Sequence, residues 1–183
     1  VLVLLTSRPA YSCTAFHLRS HTNTHYMAKS YDWHSGRGYL MVNRAGRQKR
    51  SFLLDPSGVA VSWTSRYTSL TFNQFGKEFP NGGINSRGLA IEILALRHSR
   101  FPTRSKRGQL NEAQWIQFQL DTSATIEEMV AQAQRVMIKP VVQKAHYFAC
   151  DAGGECAVFE YLKGKLRISR GDDLPYPALT NHP

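Results

Sequence analysis

This chain of 183 residues has few cysteines, few acidic residues and few long apolar runs, and each shortage argues against a class of structure or function. Three cysteines are too few for a disulfide scaffold, and their spacing fits no zinc motif. The one leading apolar run is too short to cross a membrane as a helix. Apolar residues still make up 42% of the chain, so we expect one domain with a substantial core.

Acidic residues number 13 against 23 basic ones, so the net charge is +10 and the basic residues fall in two runs. These runs are Arg44, Arg47, Lys49 and Arg50, and then Arg97, Arg100, Arg104, Lys106 and Arg107. Basic runs attract phosphate, but no nucleic-acid motif accompanies these two. Both lie among turn residues, which favours solvated loops over a nucleic-acid partner. An anionic substrate or an anionic membrane surface stays open.

The start of the chain has the pattern of a secretory signal and its cleavage site. Residues 1–5 are apolar, and the small residues Ala10 and Ser12 stand three places and one place before Cys13. We therefore expect an exported protein in which residues 1–12 are removed and residues 13–183 form the domain. Cys13 would then carry a thiol and a free α-amine on one Cα. The amine titrates near pH ~8 and the thiol near ~8.5, so the amine can take the thiol's proton without a histidine.

Periodicity and turn residues predict strands, then two helices, then strands. The early strands are predicted at 13–18, 26–33, 39–43, 51–54, 59–64, 70–75 and 89–96, and the late ones at 146–150, 156–161 and 166–170. The capping pairs Asn111/Gln114 and Thr125/Glu128 begin the helices, and the second helix is predicted to run to Met137. This α+β order suits two sheets stacked between helix layers.

Cys150 and Cys156 flank a short glycine-containing loop. A three-residue hairpin loop at 152–154 would put the two cysteines directly opposite each other. We expect two buried thiols, with a disulfide as the alternative in an exported protein.

Two motifs near the start carry a family resemblance. Cys13-Thr14 opens a strand, and Ala28-Lys29-Ser30-Tyr31-Asp32-Trp33 follows. Together they resemble the start of the choloylglycine hydrolase family, the linear amide C–N hydrolases that include penicillin V acylases and bile salt hydrolases. Further resembling stretches follow in order at 63–67, 72–80, 83–89, 111–117 and 179–181. The resemblance implies the four-layer αββα fold of N-terminal nucleophile hydrolases, of which this chain would be the N-terminal portion, since the family continues beyond Pro183.

The resemblance also implies roles for five residues. Cys13 would be the nucleophile, and Asp32 would hold its amine and thiol rather than only anchor a turn. Lys29 stands where many members have arginine, and its charge would favour thiolate; a solvent-facing lysine is the alternative. Asn181 would donate to the oxyanion through its side chain. Ala95 would donate through its backbone N–H, at a position where bile salt hydrolases have asparagine and penicillin V acylases an aromatic residue.

Two other sets of polar residues have structural interpretations. Glu92 interrupts the apolar run 89–96, and we expect a paired structural carboxylate there rather than a catalytic acid. His17, His21 and His25 are four residues apart, which on a helix would align three metal ligands. The polar residues between them predict a turn instead, so we expect no metal and no cofactor.

The function implied is hydrolysis of a small-molecule linear amide through a thioester on Cys13. A papain-like protease using Cys13, His146 and Asn181 is the first alternative, although the glycine and tryptophan signature around the cysteine is missing. A secreted binding module with a structural Cys13 is the second. Bile conjugates, phenoxyacetyl penicillins and N-acyl lactones all present a linear amide, so the acyl group stays open, as does self-association.

Overall fold

The computed structural model describes residues 12–33, 35–55, 57–103 and 106–183. The predicted signal segment through Tyr11, and Arg104 of the second basic run, lie outside the described residues. No helix in the described ranges is long and apolar enough to cross a membrane.

Strands dominate the described chain, and two α-helices interrupt them. In chain order the elements are β1 (Thr14–Arg19), β2 (His25–Ser30), β3 (Tyr39–Asn43), β4 (Gln48–Arg50), β5 (Ser62–Thr64), β6 (Ser69–Asn73), β7 (Pro80–Asn85), β8 (Ala90–Ala95), β9 (Gly108–Leu110), α1 (Glu112–Thr122), α2 (Ile126–Arg135), β10 (Val136–Ile138), β11 (Ala145–Cys150), β12 (Cys156–Leu162), β13 (Lys165–Arg170) and β14 (Ala178–Thr180).

A seven-stranded antiparallel sheet forms the centre of the fold, in the order β13-β12-β11-β8-β7-β6-β3. A three-stranded sheet, β14-β1-β2, packs against it, while β9 with β10 and β4 with β5 form two short ladders. The α+β prediction with stacked sheets is therefore confirmed.

The two faces of the large sheet are buried by different partners because strand side chains alternate. On one face Ile91 and Tyr147 pack with Trp115 of α1 in the larger core cluster. On the other face Leu94 and Phe148 pack with Ala15 of β1, together with Cys13 and Leu179. The described chain thus contains a helix layer, a large sheet and a small sheet.

Both predicted helix starts are confirmed. The Asn111 side chain accepts hydrogen bonds from the N–H groups of Ala113 and Gln114, and the Thr125 hydroxyl accepts from that of Glu128. Each cap satisfies backbone donors that the first turn leaves unpaired. The Glu128 carboxylate reaches back to the Ala124 N–H at 2.7 Å, so it closes the second helix start from the other side.

The predicted end of the second helix is wrong. Helix α2 ends at Arg135, and Met137 lies in β10, which pairs parallel with β9. The side chains of Val136, Met137 and Ile138 are all buried. A three-residue run buried throughout suits a strand, and this pairing outweighs the helical spacing.

The predicted strand at 51–54 is also wrong, because β4 occupies Gln48–Arg50. Lys49 belongs to a basic run that we expected to be solvated, yet its ammonium lies 2.9 Å from the Asp121 carboxylate and is buried. Because Lys49 turns inward, it fixes the register of β4. Phe52 and Leu54, which follow β4, are exposed.

Asp121 is the centre of a buried polar network at the end of α1. Its carboxylate accepts from the Trp63 indole at 2.7 Å, the Ser65 hydroxyl at 2.9 Å and the Gln117 amide at 3.0 Å. These bonds attach the β4–β5 ladder to the helix layer. These three donors and the Lys49 ammonium compensate the buried charge of the Asp121 carboxylate. Removing the carboxylate would leave the ammonium buried without a counter-ion.

The cysteine prediction is corrected, because Cys150 and Cys156 form a disulfide rather than two thiols. They are register partners across the β11–β12 hairpin, as the loop length predicted. The sulfurs therefore face each other without any rearrangement of the backbone.

We predict that Asp121→Ala lowers the free energy of unfolding by about 3–5 kcal/mol, because Lys49 then stays buried without its counter-ion. Urea unfolding followed by tryptophan fluorescence measures the change. Glu127→Ala is the matched control, since Glu127 pairs with Arg170 on the surface. The control should leave stability nearly unchanged; equal losses in both variants would contradict the role given to the buried network.

Candidate active site

Cys13 lies at the open end of the β1–β2 hairpin, directly before β1. Its side chain is buried, and it is the one free cysteine among the described residues. Thr14, the next residue, pairs with Thr180 on one side and with Ser30 on the other. Strand β1 is therefore held on both sides where the cysteine emerges.

Four of the five predicted site residues line one small cavity of about 30 Å³. They are Cys13, Asp32, Ala95 and Asn181. Register explains the convergence, because Asp32 follows the end of β2 and Asn181 follows the end of β14, beside the start of β1. Antiparallel pairing thus brings residues from three parts of the chain to the same end of the small sheet, where β1 begins and where β2 and β14 end.

The two predicted oxyanion donors touch each other. The Asn181 side-chain amide donates to the Ala95 carbonyl at 2.7 Å. An amide nitrogen has two hydrogens, so one N–H remains for a substrate oxygen. Asn181 Oδ1 is buried and has no hydrogen-bond partner among the described residues.

The Ala95 N–H points to the same side of β8 as its carbonyl. Leu96 N–H donates to Lys144 on the β11 side at 2.9 Å. Because successive residues of an antiparallel strand bond to opposite sides, the Ala95 N–H and C=O point away from β11. Pairing of β7 with β8 ends at Gly82–Glu92, before it reaches Ala95. Both groups of Ala95 therefore face the side where Asn181 binds.

Lys29 lies inside the molecule, which excludes the solvent-facing alternative. Its ammonium is 3.1 Å from Glu92 Oε2 and donates to the Ile93 carbonyl at 2.7 Å. Its side chain is 8% exposed and that of Glu92 is 16% exposed. The prediction that Glu92 is a paired carboxylate is thus confirmed. Gly82 makes room for it, because a Cβ at Gly82 would fall on the Glu92 carboxylate.

A larger cavity of about 460 Å³ adjoins the Cys13 cavity. Lys29 and Glu92 lie in its wall, together with the apolar side chains of Met27 and Phe72. Tyr31 lines both cavities.

Tyr31 is a site residue that sequence reasoning missed. Its hydroxyl donates to Gln74 at 2.6 Å and accepts from Asn81 at 2.7 Å, and its ring centre lies 4.8 Å from the Lys29 ammonium. Burial raises the Tyr31 pKa, the Asn81 hydrogen bond opposes the rise, and the charges of Cys13 and Glu92 add to it. One feature of the sequence points to Tyr31, since it lies between the predicted site residues Lys29 and Asp32 in the motif that carries the family resemblance.

Asp32 lines the same cavity as Cys13, whereas His146 does not. Asp32 is exposed and lines the cysteine's cavity, but Ser12 precedes Cys13, so the nitrogen it is predicted to hold is here a peptide nitrogen. His146 is fully buried, does not line that cavity, and contacts Glu160 through Nδ1 at 2.9 Å. The described structure therefore gives the papain-like alternative no cysteine–histidine pair.

Known proteins resemble this chain in both sequence and fold. Penicillin V acylase of Pectobacterium atrosepticum is 28% identical, over 100% of this chain and 52% of its own length. The structure of a penicillin V acylase from Agrobacterium tumefaciens matches with a TM-score of 0.78 and 31% identity, over 92% of this chain and 52% of that one. A conjugated bile acid hydrolase from Clostridium perfringens matches with a TM-score of 0.72 and 15% identity, over 87% and 51% of the two chains, which shows the fold alone.

No family model matches the chain. The likeness to these proteins confirms both the resemblance to the choloylglycine hydrolase family and the αββα fold of N-terminal nucleophile hydrolases. This chain spans about half the length of the relatives it matches.

The raised pKa of Glu92 makes stability depend on pH. Burial raises this pKa above the ordinary 4.5, and the charge of Lys29 opposes the rise. The folded state then holds the proton more tightly than the unfolded state. The resulting stabilisation is present below the unfolded pKa and is lost as pH rises through the folded pKa.

Glu92→Gln cannot ionise, so the stability of wild type relative to this variant should fall as pH rises from the ordinary pKa of 4.5 through the raised pKa of the folded state. Urea unfolding at each pH measures the difference, and Glu127→Gln on the surface is the control. A difference that grows with pH would show that pairing with Lys29 outweighs burial.

Proposed function

We propose that the full-length protein hydrolyses linear amides of small molecules, with Cys13 as an N-terminal nucleophile. The observation that carries this proposal is the convergence of Cys13, Asp32, Ala95 and Asn181 on one cavity. The relatives named penicillin V acylase support this proposal, and the chain covers about half of each of them.

Removal of the chain through Ser12 frees the α-amine, which is the proposed base. The amine takes the proton of the Cys13 thiol, and the thiolate attacks the amide carbonyl carbon. Asp32, in the wall of the same cavity, holds the resulting ammonium. The ammonium then gives its proton to the leaving nitrogen, and the acyl group stays on Cys13 as a thioester. Water then attacks the thioester carbonyl carbon and gives one proton, through the α-amine, to the departing Cys13 thiolate, so the acid is released and the thiol is restored.

The negative charge that develops on the carbonyl oxygen is stabilised by two donors. One is the second N–H of the Asn181 amide, and the other is the Ala95 N–H on the same side of β8. Because each donor is already fixed, neither must reorganise when the charge appears. The Ala95 donor survives any side chain except proline, so an alanine at this position does not impair the chemistry.

Lys29 acts in this proposal as half of an ion pair rather than as an isolated cation. Glu92 at 3.1 Å cancels much of its charge, so its effect on the Cys13 thiolate is modest. Its larger contribution is to orientation, because it also binds the Ile93 carbonyl on the strand that carries Ala95.

The larger cavity is the proposed site of the acyl group. Met27, Leu40 and Phe72 supply apolar surface, and Arg37 lies at the same wall. A cavity of about 460 Å³ suits an acyl group of drug-like size. Penicillin V and a conjugated bile acid, named for the relatives, are the first substrates to test.

Export is part of the same proposal. The Cys150–Cys156 disulfide is of the kind that persists in oxidising compartments, which supports the interpretation of residues 1–12 as a removed signal.

The proposed base is tested by adding one uncleavable alanine before Cys13 in the processed protein. The α-amine becomes an amide that cannot accept a proton, so kcat/KM should fall by roughly a hundred to ten-thousandfold. Steady-state hydrolysis of one amide substrate measures the effect, and intact mass verifies each N-terminus.

His146→Gln is the matched control, because glutamine can still donate to Glu160 and keep the buried pair satisfied. It should retain most of the activity. The papain-like alternative expects the opposite pair of results, and an active extended enzyme would overturn the role of the amine even if Cys13 proved indispensable.

The oxyanion role is tested with Asn181→Ala. Turnover should fall by about a hundredfold or more, the scale of one lost donor, while Cys13 still alkylates at the wild-type rate. Thr180→Ala, one residue away and exposed on β14, should leave turnover within about twofold. Unchanged turnover in Asn181→Ala would show that Asn181 has no such role.

A further inference from the structure

A second cluster of chemically reactive side chains lies away from the Cys13 cavity. One ligand atom each from His17, Cys150 and Cys156 lie within 4.8 Å of one another. His17 Nε2 is 2.9 Å from His25 Nδ1, and the two rings stack. A cavity of about 180 Å³ is lined by His17, His25 and Cys150, with Asp151 beside them. None of these residues lines the Cys13 cavity.

The cluster forms because two hairpins meet on one face of the large sheet. His17 lies on the same side of β1 as Cys13 and Ala15, which pack toward this face. The two cysteines end β11 and begin β12 on that face, in the same apolar cluster. Gly154 allows the close approach, because a Cβ there would fall on the His25 ring.

We propose that reduction of the Cys150–Cys156 disulfide creates a zinc site, with the two thiolates and His17 as ligands. A reductant of the dithiol class supplies two electrons and two protons, so the S–S bond breaks and two thiols form while the dithiol becomes a disulfide. Zn²⁺ then displaces one proton from each thiol. Water completes the four-coordinate site, as in zinc sites with three protein ligands.

The dimensions of the hairpin suit this site. In a tetrahedral site the two sulfurs stand about 3.8 Å apart, since each Zn–S bond is about 2.3 Å. The Cα atoms of the two cysteines are 4.1 Å apart, which fits side chains that face each other across a pair without ladder hydrogen bonds. Separating the sulfurs to the zinc distance therefore requires only side-chain rotation.

The hairpin keeps its shape without the disulfide. The Asp151 carboxylate accepts from the N–H groups of Gly153 at 2.9 Å, Glu155 at 3.1 Å and Ile126 at 3.1 Å. These bonds close the loop and attach it to the start of α2. The two thiols of the reduced form therefore stay opposite each other and beside His17.

His25 has the position of an outer-shell partner. Metal-binding histidines usually have their second ring nitrogen hydrogen-bonded, which fixes the ring. The contact between His17 and His25 supplies this hydrogen bond. His21 belongs to the same histidine series, but it lies exposed in the turn between β1 and β2 and takes no part in the cluster.

The test uses the full-length protein with Cys13 alkylated while the disulfide is intact, so that no other described cysteine is free. A phosphine then reduces the disulfide, taking oxygen from water, and leaves no dithiol to compete for metal. Co²⁺ reports thiolate ligation through its charge-transfer absorption, and Zn²⁺ affinity follows by competition with a chromophoric chelator. The reduced protein should bind one metal ion per chain with a two-thiolate spectrum, and the oxidised protein should give no such spectrum.

His17→Gln should weaken Zn²⁺ binding by about a hundredfold or more, and His25→Gln by about tenfold to a hundredfold. The matched control His21→Gln should bind like the wild type. Circular dichroism checks the fold of each reduced sample. The proposal is overturned if the folded reduced protein binds no metal, if reduction unfolds the protein, or if His17→Gln binds as tightly as His21→Gln.

Discussion

The buried pair formed by Lys29 and Glu92 joins the two sheets between which the candidate site lies. Lys29 belongs to β2 of the small sheet and Glu92 to β8 of the large one, and the same ammonium also binds the Ile93 carbonyl. The ammonium lies 3.1 Å from the carboxylate and 2.7 Å from the carbonyl oxygen, so both contacts hold β2 against β8. The position of the strand that carries Cys13, relative to the strand that carries Ala95, therefore depends on this contact.

Asn181 provides a second connection of the same kind. Strand β14 pairs with β1, yet the residue that follows it reaches across to β8 and binds the Ala95 carbonyl at 2.7 Å. Lys29 extends from β2 and Asn181 follows β14, so the two contacts start from the outer strands of the small sheet, and β1 lies between these strands. Cys13, the proposed nucleophile, directly precedes this central strand and is thus positioned by neighbours on both sides, which is the preorganisation that the proposed oxyanion stabilisation requires.

Sequence reasoning found features whose cause is local and missed those whose cause is distant. The cap at Asn111 was predictable because capping involves adjacent residues. Strand β4 was misplaced because Lys49 turns inward to Asp121, 72 residues along the chain. Strand β7 was missed because Gly82 and Gly83 suggest a turn, whereas Gly82 is needed to admit Glu92. The resemblance supplied the site residues, but their contacts, including the bond from Asn181 to Ala95, needed the fold.

In the proposed function, chemistry and selectivity depend on different parts of this structure. The proposed donors and the proposed nucleophile come from strand ends whose register is fixed by ladder pairing and by two buried contacts. The wall of the larger cavity instead includes Leu40 of β3 and Phe72 of β6, at the edge of the large sheet, where side chains are exposed. Substitutions there would change the shape of this cavity, the proposed acyl site, without moving Cys13 or Ala95.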